Sequence, residues 1–255
     1  MANFIEMQNG LYQNFAKFYD KIYQSKNNDK ETDFIAFVLK KYGNKGKNVM
    51  DMACGTGEQV LRLSKKGFNV IGVDLNEGML GVAKSKSKKI KFLKGNMRTY
   101  RAHKKLDAIT CLFSSINHNK NLKELRQTIE NFHKNLNAGG ICLFDLGFVN
   151  KKTDKHSNGC TLETITDNRS QIARISQWAI SPRDESTYET QDLIFVKANG
   201  KVDFEIDRHE LGLFEVKDVK NIMEKTGFRV LIFETWTDKK YSGKTRRPIF
   251  VGIKP

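Results

Sequence analysis

The chain has 255 residues, 39% apolar and 10% aromatic with only three prolines, enough to bury a large core and unlike a linker or disordered tail. Lys and Arg outnumber Asp and Glu by 44 to 29, a formal charge of +15, which suits an anionic ligand and argues against a polyamine. No stretch has the roughly 18 continuous apolar residues of a membrane span, and "MANFIEMQNG" lacks a basic segment followed by an apolar one, so a cytoplasmic protein without a membrane partner is expected.

In chain order, "YQNFAKFYDKIY" places Tyr12, Phe15, Tyr19 and Tyr23 at helical spacing, and Phe34, Phe37, Val38 and Tyr42 repeat the pattern in a second helix. From Lys47 the rhythm changes. Strands expected at 49–54, 70–73, 90–93, 106–113 and 141–146 alternate with helices at 57–66, 77–85 and 121–136. The last helix has Leu122, Leu125, Ile129, Phe132 and Leu136 on one face, with Asn121 as N-cap and Glu124 placed to complete a capping box. Alternation of this kind requires crossover connections, hence a largely parallel sheet covered on both faces. Residues 84–105 hold ten Lys or Arg and no acid, but without interleaved aromatics they read as a solvated face and not as a nucleic-acid surface.

After Gly147 the alternation stops. Strands are expected at 160–166, 171–180, 188–197 and 201–207, the last with Val202, Phe204 and Ile206 on one face and Asp203, Glu205 and Asp207 on the other. Asn199-Gly200 supplies a two-residue hairpin turn. A helix with Val216, Val219 and Met223 follows, then "FRVLIFETW" and "PIFVGI" joined by a loop short enough for a hairpin. The expected fold is thus α/β, with helices on both faces of the sheet, an antiparallel last strand and a small inserted antiparallel sheet. Its parts are residues 1–150, 151–212 and 213–255. Cys54, Cys111, Cys142 and Cys160 form no C-x-x-C pair and read as buried reduced thiols. His103, His118, His133, His156 and His209 show no ligand spacing, so no metal is expected.

The most informative stretch is "NVMDMACGTGEQV", a strand running into Gly55 and Gly57 and then a helix. The glycines permit a tight turn and close backbone approach to a ligand, but Val60 stands where a dinucleotide fingerprint has its third glycine. Asp74 ends the next strand, nineteen residues after Gly55, where a carboxylate can accept both hydroxyls of a ribose. Asp51, before the turn, suits a cationic group and would be of little use to a pyrophosphate, which disfavours a nicotinamide dehydrogenase. Asn96 in "GNMR" follows the third strand, placed to meet an adenine edge.

Together, "VMDMACGTGEQVLRLSKKGFNVIGVDLNEGML", "GNMR", "LDAITCLFSSINH", "LNAGGICLFD", "HELGLF" and "FVGI" resemble the class I S-adenosylmethionine-dependent methyltransferases over nearly the whole chain. More narrowly, "YQNFAKFYDKIY", "TCLFSSINH" and the inserted sheet resemble small-molecule N-methyltransferases acting on the amino group of nucleotide-linked aminosugars. The resemblance implies a Rossmann-like sheet and S-adenosylmethionine as cofactor. Tyr12 and Tyr19 would close over the cofactor; Asp51, Ala53, Gly55 and Gly57 would receive it; Asp74, Leu75 and Met79 would hold the ribose side. Asn96 and Met97 would meet the adenine, with Leu112 and Phe113 beside them; Asn96 stands where the family usually has Asp. Ser115, His118, Arg174 and Arg246 would line the acceptor site, with His118 and Tyr12 catalytic and His118 either base or orienting group. Arg208 and Arg247 are further arginines suited to phosphate.

The function implied is in-line transfer of a methyl group to the nitrogen of a small-molecule amine, anionic or nucleotide-linked, with a homodimer left open. The alternatives are O-methylation, another amine, and a noncatalytic cofactor-binding partner. A nucleic-acid methyltransferase is disfavoured because "LFSSIN" lacks the Asn/Asp-Pro-Pro-aromatic motif that holds a flipped base.

Overall fold

A computed structural model of the chain describes residues 10–147 and 158–255; the expected boundary at 150 and 151, and His156, lie outside them. Strands β1 (Asn48–Met52), β2 (Asn69–Asp74), β3 (Lys91–Lys94), β4 (Leu106–Cys111) and β5 (Leu136–Asp145) precede β6 (Gly159–Thr166), β7 (Ser170–Ile180), β8 (Thr187–Ala198) and β9 (Lys201–Gly212). The chain ends with β10 (Arg229–Phe233) and β11 (Ile249–Ile253). The helices are α1 (Tyr19–Ile22), α2 (Asn28–Tyr42), α3 (Glu58–Lys65), α4 (Glu77–Lys86), α5 (Leu122–Asn135) and α6 (Val216–Lys225).

Seven strands form one sheet in the order β3-β2-β1-β4-β5-β11-β10, parallel except for β11, which runs antiparallel to both neighbours. Strand order reverses between β1 and β4, which opens a crevice at their C-terminal ends. Alternation along the strands feeds two cores. Val49, Val70 and Phe92 pack with Phe34, Val38 and Leu63 on one face; Met50, Met52 and Ile109 pack with Leu125, Phe132 and Met223 on the other. The cap of α5 is reciprocal: Asn121 Oδ1 accepts the Glu124 N–H at 3.0 Å, and Glu124 Oε2 accepts the Lys120 N–H at 3.0 Å, one residue earlier than a standard box. No helix among the described residues is long and apolar enough to cross a membrane.

The remaining four strands form an antiparallel sheet in the order β6-β7-β8-β9. Asn199 (φ 52°) and Gly200 (φ 74°) make the expected tight turn between β8 and β9. The alternation along β9 is present, but the polar face points inward. Asp207 is buried, whereas Val202 and Phe204 are each 65% exposed.

Three expectations change. The N-terminal aromatic stripe is not one helix: a 3-10 turn at Ala16–Phe18 leads into the single turn of α1. The segment serves two surfaces, since Leu11, Phe15 and Ile22 pack on Ile172, Ile194 and Val196 of the smaller sheet while Tyr12, Tyr19 and Tyr23 face the crevice. It is pinned on both sides, by Leu11 N–H to Asp207 Oδ1 (3.3 Å), Asn14 Nδ2 to Glu205 Oε1 (2.7 Å) and Gly78 N–H to Gln13 Oε1 (3.2 Å). Strand β5 begins at Leu136, earlier than expected, with a register irregularity against β4. Cys160 is exposed, unlike Cys54, Cys111 and Cys142, because it lies near the open edge of the smaller sheet.

Gly57 (φ 80°) starts α3 in the left-handed region, and a Cβ there would lie 2.8 Å from the Phe92 ring. Replacing Gly57 by Ala is expected to cost about 3 kcal/mol, combining left-handed strain with overpacking. Gly67 (φ 87°) has nothing within 4 Å of such a Cβ, so Gly67→Ala should cost only the roughly 1–2 kcal/mol of backbone strain; urea midpoints of the two variants check the difference.

Candidate active site

Three adjoining cavities occupy the crevice. The first, about 320 Å³, lies at the ends of β1, β2 and β3 and is lined by Asp74, Leu75, Met79, Asn96 and Met97 under Tyr12 and Tyr19. Asp74 Oδ2 accepts the Gly55 N–H and Oδ1 the Asn76 N–H, each at 2.8 Å. Its carboxylate faces the first cavity with both oxygens anchored by backbone. Burial raises the Asp74 pKa, and these backbone bonds pull it back. Asn96 Oδ1 accepts the Arg98 N–H at 2.9 Å, an Asx turn that leaves the amide NH2 to donate. Leu75 is 55% exposed, an apolar wall without protein cover.

The second cavity, about 310 Å³, is lined by Asp51, Gln59, Lys26, Thr56 and Tyr23 and meets the first at Ala53, Gly55, Tyr19, Phe113 and Ser115. Asp51 is buried and accepts the Thr110 hydroxyl at 2.6 Å. Desolvation pushes its pKa up to about 7 despite that bond and the nearby Lys26 charge. Gln59 is buried with both amide atoms lacking a protein partner. At Gly55 (φ 54°) nothing lies within 4 Å of where a Cβ would be, so the backbone itself forms an open cradle.

The third cavity, about 840 Å³, lies between the ends of β4 and β5 and the inner face of the smaller sheet, with Trp178 among its lining. It joins the first at Tyr12, Phe113, His118 and His209. Arg174, Arg246 and Arg247 line it together with Glu163, Asp192 and Asp207. Arg174 is committed to Asp192 at 2.9 Å and Glu163 at 3.6 Å, and its guanidinium lies over the Tyr23 ring. Arg247 pairs with the fully buried Asp145 at 2.6 Å.

The junction is strained. Ala53, Phe113 and Ser114 all have φ near +60°, and all three line these cavities. Ser114 N–H donates to Asp145 at 2.9 Å, and the buried Asn117 donates to Gly212 O at 2.8 Å while accepting the Gly147 N–H at 3.1 Å. His118 follows on the same turn, with Tyr12 and His209 rings edge-on at 6.2 and 5.3 Å. Burial and then His209 lower its pKa to about 4, while Asp207 opposes them.

Residues 49–140 match the family described as "Methyltransferase domain". The chain is 32% identical to the putative methyltransferase GWCH70_2453 of Geobacillus sp. over 251 residues, 95% of this chain and 99% of that protein. The chain belongs to the class I S-adenosylmethionine-dependent methyltransferases. It is also 24% identical, over 93% of its length and 97% of the relative's, to a dTDP-3-amino-3,4,6-trideoxy-alpha-D-glucopyranose N,N-dimethyltransferase of Streptomyces venezuelae. Its fold matches that of an S-adenosylmethionine-dependent methyltransferase from Clostridium acetobutylicum with a TM-score of 0.82, at 21% identity and 94% and 98% coverage.

In this methyltransferase, every residue singled out in the sequence for the cofactor lines the first or second cavity except Gly57, which sits behind them against Phe92. Ser115 lines those same two cavities, His118 joins the first and third, and Arg174 and Arg246 line the third. Arg208 does not reach the third cavity and bonds Gln191 at 2.7 Å. Sequence reasoning missed Thr110, Gln59 and Asp207. Only Asp207 left a signal: it stands two residues before His209, on the same face of a strand.

Two buried titrations oppose one another. Asp51 binds its proton more tightly folded than unfolded, so its contribution to stability falls as pH rises from about 4 to about 7. His118 is depressed below the usual histidine range, so its contribution rises over the window ending near 6.5. Relative to the unsubstituted protein, Asp51→Asn should gain stability as pH rises from 4.5 to 6.5 and His118→Asn should lose it; urea unfolding at both pH values measures the two slopes.

Proposed function

We propose that the methyltransferase acts on the nitrogen of a small-molecule amine of the aminosugar class. The observation that supports this most directly is the junction of the cofactor and acceptor cavities: two imidazoles and the buried Asp207 surround the meeting point, an arrangement suited to a group that arrives cationic and must lose a proton. The Streptomyces venezuelae relative is named for an amino sugar. The donor supplies an already activated methyl group, so the protein has chiefly to align a neutral amine behind it, an effect worth on the order of 7–11 kcal/mol.

In this reading Asp74 holds the ribose hydroxyls and Asn96 donates to the adenine edge, flanked by Leu75, Met79 and Met97. The Gly55 backbone, Ala53 and the orphaned amide of Gln59 receive the amino-acid end, whose ammonium meets Asp51. Gly57 sets the turn, while Leu112 and Phe113 wall the methyl. Tyr12 and Tyr19 cover the sulfonium as neutral phenols, since burial drives both pKa values well up. His118 orients the acceptor with Ser115. Arg174 and Arg247 are paired with acids, and Arg246 lines the same cavity, where a guanidinium suits the phosphates of an anionic nucleotide.

The test is transfer of labelled methyl to dTDP-3-amino-3,6-dideoxyglucose, its 3-hydroxy analogue, glycine and spermidine. Label should enter the amino sugar and not the hydroxy analogue; label in the hydroxy analogue or only in the other amines would overturn the assignment. His118→Ala should lower kcat about 100-fold with cofactor Kd within a few-fold, measured by rapid quench and calorimetry.

We also propose that a second copy covers the outer face of the smaller sheet. Cross-strand rows Leu162–Ile175–Leu193–Ile206 and Thr164–Ala173–Phe195–Phe204 lie on it, and neither row contains a charge. Two such faces can pair without burying an ion, and Leu162 is 68% exposed in the single chain. Sedimentation should give a dimer that Phe204→Glu converts to monomer; a monomeric parent protein would refute this.

A further inference from the structure

We propose that His209, gripped by Asp207, accepts the proton from the methyl-accepting nitrogen. The inference rests on the amine reading above and adds to it the identity of the base, which sequence reasoning sought at His118.

His209 Nε2 lies 2.7 Å from Asp207 Oδ2. Asp207 is 2% exposed, and its other oxygen accepts the Leu11 N–H at 3.3 Å. A carboxylate held this way can only accept, so Nε2 carries the ring proton and Nδ1 carries the lone pair, a tautomer assigned from the partner. The Tyr12 ring stacks on the imidazole at 4.8 Å and 22°, fixing its plane. The ring borders both the cofactor cavity and the acceptor cavity, so it stands beside the path along which the methyl group must travel.

His118 also borders both cavities, but the two histidines differ in what stabilises a proton gained there. An imidazolium at His209 is paired with a buried carboxylate. One at His118 faces another imidazole and, among the described residues, no hydrogen-bonded acid, in keeping with its lowered pKa. His118 is therefore the orienting group and His209 the acceptor of the proton.

The step balances. An N–H bond of the acceptor's ammonium form breaks, its proton moves to His209 Nδ1, and nitrogen keeps the electron pair. Nitrogen then forms its bond to the methyl carbon as the carbon–sulfur bond breaks and its electrons pass to sulfur, leaving a neutral thioether. The imidazolium returns its proton to water when the product leaves. Groups that bear on the ring are Tyr12 from the N-terminal segment, His118 from the turn after β4, Asp207 on its own strand, and, across β8, Thr190 directly opposite with Tyr188 and Asp192 one row to either side.

Two measurements test this. In nitrogen-15 NMR of the full chain saturated with S-adenosylhomocysteine, His209 should show Nε2–H with an unprotonated Nδ1 at pH 8.5 and take its second proton on Nδ1 as pH falls; Asp207→Asn should lose that tautomer. A His209 found with Nδ1–H, or one that takes no proton down to pH 4.5, overturns the proposal. With dTDP-3-amino-3,6-dideoxyglucose as acceptor, His209→Gln should lower kcat/KM about 100-fold at pH 7, with cofactor Kd within twofold. The deficit should shrink toward the acceptor's own pKa, where free amine is abundant, and added imidazole should restore part of the rate. A purely structural role would give a deficit constant with pH and no rescue, and wild-type rates in His209→Gln would likewise overturn the assignment. His209→Asn serves the same comparison should the Gln variant not fold. If the unsubstituted protein methylates a different amine, the amino-sugar reading fails while the same comparison on that amine still decides the role of His209; if it methylates no amine, the amine reading fails and the NMR result decides whether this lone pair exists.

Discussion

The Gly55 N–H bonded to Asp74 at 2.8 Å ties the loop leaving β1 to the end of β2, and the geometry of the crevice follows from that tie. Parallel strands end on the same side of a sheet, so the two loops would diverge into solvent without a cross-link. The Asp74 carboxylate supplies one and also lines the first cavity. Ala53 is held in the left-handed region just before the turn, and the Cys54 N–H reaches across to Val73 O at 3.1 Å, so the loop is bonded to β2 twice. Gly57 lets α3 begin close against Phe92, and the amides of the turn remain beside an open cradle.

The third cavity is built differently. Its walls come from a second sheet whose inner face carries charge where a small sheet would ordinarily place its apolar residues. Asp192 and Asp207 are directly opposite one another across β8 and β9, and each is engaged, by Arg174 and by His209. Burying one like-charge pair in adjacent strands is unfavourable unless each acid has a partner. The arginine and the imidazole thus have a structural as well as a chemical reason to be where they are. Apolar residues displaced from that face appear on the outer one, where Phe195 and Phe204 pair across the strands at 6.1 Å between ring centroids.

Much of this was legible in the sequence. Strand and helix alternation from Lys47 onward gave the parallel sheet because crossover connections admit little else, and the capping pattern of Asn121 and Glu124 located α5 to within a residue. The glycine turn with Asp51, Asp74 and Asn96 marked the first two cavities, because those residues sit at the ends of successive strands and need no knowledge of distant contacts. The third cavity resisted for the opposite reason. Which face of β9 turns inward depends on the N-terminal segment packing against it, a contact between residues separated by nearly the whole chain. The pairings of Arg174 and Arg247 likewise involve acids far away or on another strand, so two side chains that looked available for phosphate are held by the protein itself. The aromatic stripe at residues 12–23 had helical spacing, but its two surfaces pull in different directions and the helix breaks.

The way the N-terminal segment is fastened couples two of the cavities. It spans both sheets through a few side-chain bonds, Gln13 to the start of α4, Asn14 and the Leu11 amide to β9, and Asp20 to Thr56 beside the glycine turn. Tyr12 belongs to that span and lines both the first and the third cavity. Any shift of this span would therefore change the walls of the first and third cavities together.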